Sequence, residues 1–144
     1  MLITMKAILE LAEVKNIAIG AFNITSLEGI QAVLEASEEL NQPVILQFAP
    51  VHEAIIPMKV IGPIMLMMAE RASVPVAVHL DHGDDLSILK KALDMGFTSV
   101  MYDGSACPLR RMQPTHGSQS RWQGHTGHLW KRKSAPWEDR NSPV

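Results

Sequence analysis

The sequence predicts an α/β protein in which parallel strands alternate with covering helices. Four short apolar runs with β-branched residues recur between residues 16 and 105. They are apolar on both faces, which is typical of strands in a parallel sheet covered on both sides. Segments with apolar residues at helical spacing separate them, and a parallel connection needs such a crossover.

The first two βα units are predicted from residue 16 to residue 73. A strand is expected at 16–24, "NIAIGAFNI", followed by an amphipathic helix at 26–40 that begins at Ser26, a residue type favoured as a helix N-cap. The second strand is expected at 43–50, and its helix at 58–73.

The next two strands enclose one more helix. The third strand is predicted at 74–83, "VPVAVHLDHG", and the helix at 84–96 is closed by Gly96, which suits a left-handed C-terminal position. The fourth strand is predicted at 97–105.

Polar residues at the carboxyl ends of these strands favour one parallel architecture over another. They are Asn23, Gln47, Asp81, His82, Asp103 and Ser105. A doubly wound sheet would carry a glycine-rich phosphate turn after its first strand, and "AFNITS" contains no glycine. A (β/α)8 barrel needs no such turn and places its chemistry at this end. The fold class predicted is therefore α/β, a partial (β/α)8 TIM barrel of about four βα units, since a whole barrel takes about 250 residues.

The motif "HLDHG" carries the strongest chemical signal. Strand alternation sends His79 and Asp81 to one face and Leu80 to the other, and leaves His82 at the turn. Imidazole is a common ligand of zinc, and a carboxylate beside it suits general acid/base chemistry. Strand-end polar groups with a satisfied core histidine would produce the same spacing. Spacing alone leaves both interpretations open.

Composition narrows the classes of protein that fit. The most apolar run, "VIGPIMLMMA", is interrupted by Gly62 and Pro63 and is shorter than the roughly 18 residues of a membrane span. The amino-terminal segment carries acidic residues and lacks a basic region, so no secretory signal is expected. A single cysteine, Cys107, excludes an internal disulfide. The sequence predicts a cytoplasmic protein.

Four segments together resemble a known enzyme family. "AFNITSLEGIQAVLEA", "PVILQ", "VPVAVHLDHG" and "GFTSVMYDGS" are similar, in this order, to the amino-terminal half of the class II, metal-dependent fructose-bisphosphate and tagatose-bisphosphate aldolases. The resemblance runs from about residue 4 to residue 106. It implies a (β/α)8 barrel, homo-oligomeric relatives, and reversible, zinc-dependent cleavage of a ketose bisphosphate into dihydroxyacetone phosphate and an aldehyde.

The same resemblance implies roles for individual residues. Asp81 matches the catalytic acid/base at the aldehyde oxygen, and His82 matches one of three histidine ligands to Zn²⁺. Asp103 matches a position associated with a second site, for another metal or a monovalent cation. Asn23 lies in the motif that approaches the substrate. His79 is expected to pack or to make an outer hydrogen bond.

Residues 107–144 differ in character from the rest. They hold 7 basic and 2 acidic residues and all three tryptophans, whereas residues 1–106 hold 6 basic and 13 acidic residues. We interpret them as an out-of-frame, unstructured tail that makes this chain a truncated, inactive aldolase. Met and Trp have one codon each, so the codon that a shifted frame reads across each of them and the next residue is forced. At four such places the forced residue is the one that the family pattern has there, which supports this interpretation. The four residues come from Met112–Gln113, Trp122–Gln123, Trp130–Lys131 and Trp137–Glu138, which encode Ala, Ala, Glu and Gly in the shifted frame.

Other interpretations of the chain remain open. The tail histidines and Cys107 match no standard zinc spacing. Basic residues interleaved with tryptophan could bind single-stranded nucleic acid, but they are also an expected by-product of a shifted frame, so we predict no nucleic-acid partner. The chain could instead be a non-catalytic binding or subunit-interaction piece. The sequence does not separate fructose from tagatose bisphosphate, and Ala49 replaces a small hydroxyl residue that is frequent in the resembling family.

Overall fold

The computed structural model describes residues 1–105, which form four helices, four strands and one short 3₁₀ turn. The predicted tail, 107–144, lies outside the described residues. The elements in chain order are α1 Met5–Lys15, β1 Gly20–Asn23, α2 Leu27–Glu39, β2 Val44–Phe48, the 3₁₀ turn Pro50–His52, α3 Met58–Arg71, β3 Val76–Gly83, α4 Leu86–Met95 and β4 Ser99–Tyr102.

The four strands form one parallel sheet in the order β1-β2-β3-β4. Each strand pairs with the next one along the chain, whereas a doubly wound sheet reverses its strand order at a switch point. The predicted α/β class and partial TIM barrel are therefore confirmed.

The outer face of the sheet, which the helices cover, holds the main core. Leu46, Val78 and Leu80 are fully buried there, together with Ile61 and Met65 of α3. A smaller cluster lies on the other, inner face, where Ile8 of α1 packs against Ile45 and Ala77. Because residues i and i+2 of a strand share a face, this cluster also identifies the face of the site residues.

Helix α1 was not predicted, because no strand precedes it and it is not part of the strand–helix alternation. Thr4 caps it by accepting a hydrogen bond from the Ala7 N–H, and Asn16 closes it in the left-handed conformation. The N–H of Ile17 then bonds back to the Ala12 carbonyl, so β1 begins only at Gly20. The first strand is shorter than predicted for this reason.

The predicted boundaries of α2 and α4 are close to the observed ones. Ser26 caps α2, as predicted, by accepting a hydrogen bond from the Gly29 N–H at 3.1 Å. Asp85 caps α4, which therefore begins at Leu86. Gly96 closes α4 with φ of 110°, as predicted, and the Phe97 N–H bonds back to the helix, so β4 begins later than residue 97.

Candidate active site at the carboxyl ends of the strands

Strand β3 ends in a β-bulge, so the side chains of Asp81 and His82 point in different directions. Leu80 pairs with Val100 and Gly83 pairs with Tyr102, so two residues of β3 oppose a single residue of β4. His82 takes up the extra residue in the left-handed region, with φ of 52°. Bulges re-aim side chains in this way next to functional sites. The Asp81 side chain is 17% exposed and that of His82 is 61% exposed.

Asp103, which follows β4, holds the His82 ring. His82 Nδ1 and Asp103 Oδ2 are 2.8 Å apart. Asp103 Oδ1 accepts the Ser105 N–H at 2.9 Å, and the Asp103 N–H donates to the Gly83 carbonyl at 2.7 Å. The carboxylate is therefore fixed on both sides.

Electrostatics of the pair follow from this hydrogen bond. The bond to Asp103, and then the charge of Asp81, raise the pKa of His82 above its ordinary value. The hydrogen bond from His82, followed by those from Ser105, lowers the pKa of Asp103 to about 2. Asp103 is thus an anion at every physiological pH.

The second nitrogen of His82 is directed toward Asp81. His82 Nε2 lies 4.0 Å from Asp81 Oδ1, too far for a hydrogen bond. In the neutral ring, with Nδ1–H held by Asp103, Nε2 carries the lone pair, which is the arrangement of a metal-ligating histidine with a carboxylate behind it. The ring therefore fits one ligand position of a metal ion. Within residues 1–105, however, no group of three or more His, Cys, Asp and Glu side chains converges to hold one.

An open depression of about 540 Å³ lies beside the His82–Asp103 pair. Its wall includes Ala49 and the 3₁₀ turn that follows it. The lining residues are Ala49, Pro50, Val51, His82, Asp84 and Asp103. The turn was not predicted, and it brings the end of β2 to the site.

Four polar residues form a layer across the inner face, which we call the polar layer: Asn23, Gln47, His79 and Ser99. Strand register pairs Asn23 with Gln47, Gln47 with His79, and His79 with Ser99. Asn23 lies on the exposed edge strand β1, across β2 from His79. His79 is 9% exposed, and its Nδ1 lies 2.8 Å from Ser99 Oγ.

The structure thus brings together three of the predicted site residues and leaves one apart. Asp81, His82 and Asp103 are neighbours, whereas Asn23 lies in the polar layer at the edge of the sheet. His79, which is expected to pack or to make an outer hydrogen bond, is nearly buried and lies next to Ser99. Ser99 was missed, because only the register between β3 and β4 shows which β4 residue faces His79.

These observations define the first four βα units of a (β/α)8-barrel fold, with an imidazole and two carboxylates at the carboxyl ends of the strands. The chain belongs to the class-II fructose-bisphosphate aldolase family: the sequence model described as "Fructose-bisphosphate aldolase class-II" matches residues 3–111. Members of this family are aldolases, which are lyases.

Two relatives match about three quarters of this chain. The chain is 39% identical over 115 residues to the 6-phospho-5-dehydro-2-deoxy-D-gluconate aldolase of Halalkalibacterium halodurans, and this match covers 75% of the chain and 38% of the relative. It is 43% identical over 107 residues to the fructose-bisphosphate aldolase of Thermus caldophilus, covering 73% and 34%.

Among solved structures, the YdjI aldolase of Escherichia coli K12 superimposes with a TM-score of 0.72. The two are 32% identical, and the match covers 77% of this chain and 42% of that one. The chain therefore spans less than half the length of these relatives. Among residues 1–105, no helix is long and apolar enough to cross a membrane.

Proposed function

We propose that this chain carries the amino-terminal half of the active site of a class II ketose-bisphosphate aldolase, which cleaves a phosphorylated ketose reversibly into dihydroxyacetone phosphate and an aldehyde. The observation that carries the proposal is the His82–Asp103 hydrogen bond of 2.8 Å beside Asp81, at the catalytic end of a sheet from this family. The setting is the cytoplasm. The ketose is a fructose or tagatose bisphosphate or a related sugar phosphate.

Asp81 is the acid/base in this proposal. Its carboxylate is mostly buried at the end of β3 and faces the same side of the sheet as the polar layer. A carboxylate held in that position can return a proton to the aldehyde oxygen or remove one from it. Asn23 supplies an amide to the substrate from the exposed edge strand.

His82 is the residue that would hold a zinc ion, through Nε2. Asp103 orients the ring by accepting the Nδ1–H. In the same proposal, which here follows the family resemblance, the Asp103 carboxylate would lie at a second cation site. When bound, zinc supplies Lewis-acid polarisation of the ketose carbonyl. A catalytic zinc has three protein ligands, so the other two come from outside the described residues.

A chimaeric protein tests the proposal. Residues 1–105 are joined to the remaining part of the Thermus caldophilus relative, which is 43% identical over the shared region. We expect zinc-dependent cleavage of fructose bisphosphate that is abolished by chelation and falls at least about 100-fold in Asp81→Asn, the usual scale of a general acid/base contribution. Glu35→Gln, on an exposed position of α2, is the matched control. A folded chimaera whose activity survives Asp81→Asn would refute the assignment.

We further propose that the unmodified 144-residue chain has no aldolase activity, because residues 1–105 supply one zinc imidazole and residues 107–144 are out of frame. Two measurements test this. Metal-dependent cleavage by the pure chain would contradict the proposed lack of aldolase activity. Resequencing the locus across the codons for residues 100–144 tests whether residues 107–144 are out of frame. An alternate frame that does not encode the aldolase pattern would contradict the frameshift.

A second candidate function, as a subunit-interaction piece, rests on the exposed edge of the sheet. All four residues of β1 are exposed, and Phe22 on its outer face is 48% exposed. An exposed strand edge pairs readily with another chain. Co-purification with an intact aldolase would support this function if Phe22→Glu weakens it and Val14→Glu, on the exposed side of α1, does not.

A further inference from the structure

The short strand β4 is attached to β3 by Thr98, the residue that precedes it. The Thr98 N–H donates to the Val78 carbonyl at 2.9 Å, and Thr98 Oγ1 donates to the same carbonyl at 3.1 Å. Thr98 Oγ1 also accepts the Val78 N–H at 3.0 Å. One side chain therefore bonds both backbone groups of a β3 residue.

Val78 depends on this contact because it is fully buried. Along the edge of β3 that faces β4, Val76 bonds residues 1–3, and pairing with β4 begins only at His79. The Val78 N–H lies between these two contacts, and among the described residues Thr98 Oγ1 is its acceptor. A buried backbone N–H that loses its acceptor is costly. The hydroxyl at position 98 therefore fixes the start of β4.

The place of Asp103 depends on the register of β4. This strand has 4 residues, and the β-bulge interrupts its pairing with β3 between Leu80 and Gly83. Regular pairing before the bulge covers two residue pairs. A slip of one residue would turn the side chains of β4 to the other face and move Asp103 away from His82. Thr98 holds the start of the segment, and the Asp103 N–H, bound to the Gly83 carbonyl, holds its end.

We propose that Thr98 is a positioning residue of the site: its hydroxyl locks β4 onto Val78 in the register that places the Asp103 carboxylate against His82 Nδ1. Thr98 acts through the strand, since its hydroxyl bonds Val78 and the residue lies well before Asp103 in the chain. That the positioned pair serves an aldolase rests on the proposed function. The positioning itself rests on the contacts of Thr98 alone.

The tautomer of His82 reports where Asp103 lies. A carboxylate only accepts hydrogen bonds, so Asp103 keeps the hydrogen on Nδ1 of the neutral ring. Long-range ¹H–¹⁵N correlation spectra of the ¹⁵N-labelled, metal-free full chain at alkaline pH show which ring nitrogen carries the hydrogen. The signal lost in His82→Gln is that of His82. We expect the Nδ1–H pattern for it in the unmodified chain, and an Nε2–H pattern would overturn the proposal.

Variants of Thr98 separate positioning from packing. Thr98→Val removes the hydroxyl and keeps a β-branched side chain that suits a strand. We expect His82 to shift toward the Nε2–H form, and the Val78 amide to exchange its hydrogen about tenfold faster, the scale of one lost hydrogen bond. Thr98→Ser keeps the hydroxyl and should restore both. Ser26→Ala also removes a hydroxyl that bonds a backbone N–H, but in α2, and should leave the His82 tautomer unchanged.

The outcomes distinguish positioning from a general loss of stability. An unchanged His82 tautomer in folded Thr98→Val overturns the proposal, and so does an equal shift in Ser26→Ala. If Thr98→Val does not fold, hydrogen exchange at the Val78 amide decides. Slow exchange that Thr98→Ser retains supports the proposal, and exchange as fast as that of an exposed amide overturns it. None of these measurements needs catalysis, so an inactive chimaera counts against the proposed function alone.

Discussion

At the scale of single residues, the His82–Asp103 hydrogen bond has a defined dependence on pH. The raised pKa of His82 means that its contribution to stability is present below the ordinary value of 6.5 and is lost as the pH rises through the raised value. The lowered pKa of Asp103 means that its contribution is present above 3.8 and is lost as the pH falls through about 2. The pair therefore stabilises the fold most between these ordinary values.

Asp103→Asn tests this dependence. We expect the pKa of His82 to fall toward 6.5, because the largest cause of its rise is the bond to Asp103. NMR titration of the metal-free protein measures it, with Asp94→Asn on exposed α4 as the control. An unchanged His82 pKa in Asp103→Asn would show that the bond does not form in solution.

The crowded surroundings of Gly83 predict that a larger residue there destabilises the fold. A Cβ there would lie 2.4 Å from Leu89 Cδ1 and 3.0 Å from the Met101 carbonyl oxygen. Gly83→Ala should destabilise the fold by about 1–3 kcal/mol, the usual cost of overpacking. In contrast, Gly29→Ala in α2 meets only Ser26 Oγ, at 3.5 Å, and should be neutral or stabilising by up to about 1 kcal/mol. Chemical denaturation measures both, and equal effects would contradict the close approach at the bulge.

At the scale of elements, the caps decide where helices begin. Ser26→Ala removes the acceptor for the Gly29 N–H and should cost about 0.5–2 kcal/mol. Ser26→Asp restores an acceptor and should recover most of the loss. Denaturation midpoints measure the series; if Ser26→Asp is as unstable as Ser26→Ala, the serine contributes something other than a cap.

Elements also differ in how far the sequence predicts them. The α2 cap, the Gly96 closure and the alternation of strands and helices are local signals, and all three are observed. Helix α1 and the turn Pro50–His52 were missed. Both depend on contacts with the sheet: α1 buries Ile8 against β2 and β3, and the turn follows the buried end of β2.

At the scale of the whole molecule, stability depends on the central strands. Leu46 is fully buried in the outer-face core between the sheet and the helices. Leu46→Ala should destabilise the chain by about 2–5 kcal/mol, since it loses burial and leaves a cavity. Val14 is 86% exposed, and Val14→Ala should change stability by less than about 0.5 kcal/mol. Similar losses of unfolding free energy in both variants would mean that this core does not hold the fold together.

The amino-acid sequence by itself determined the strand–helix order and the parallel sheet, and its resemblance to the aldolase family is what proposes Asp81, His82 and Asp103 as site residues. Periodicity, caps and the spacing in "HLDHG" are local, so they can be read without a structure. Only the tertiary structure decided which groups touch: that Asp103 holds His82, that Ser99 faces His79, and that Asn23 stays at the edge of the sheet. The physical reason is strand register, because a bulge at residues 81–82 and the pairing of β3 with β4 bring together residues about twenty positions apart.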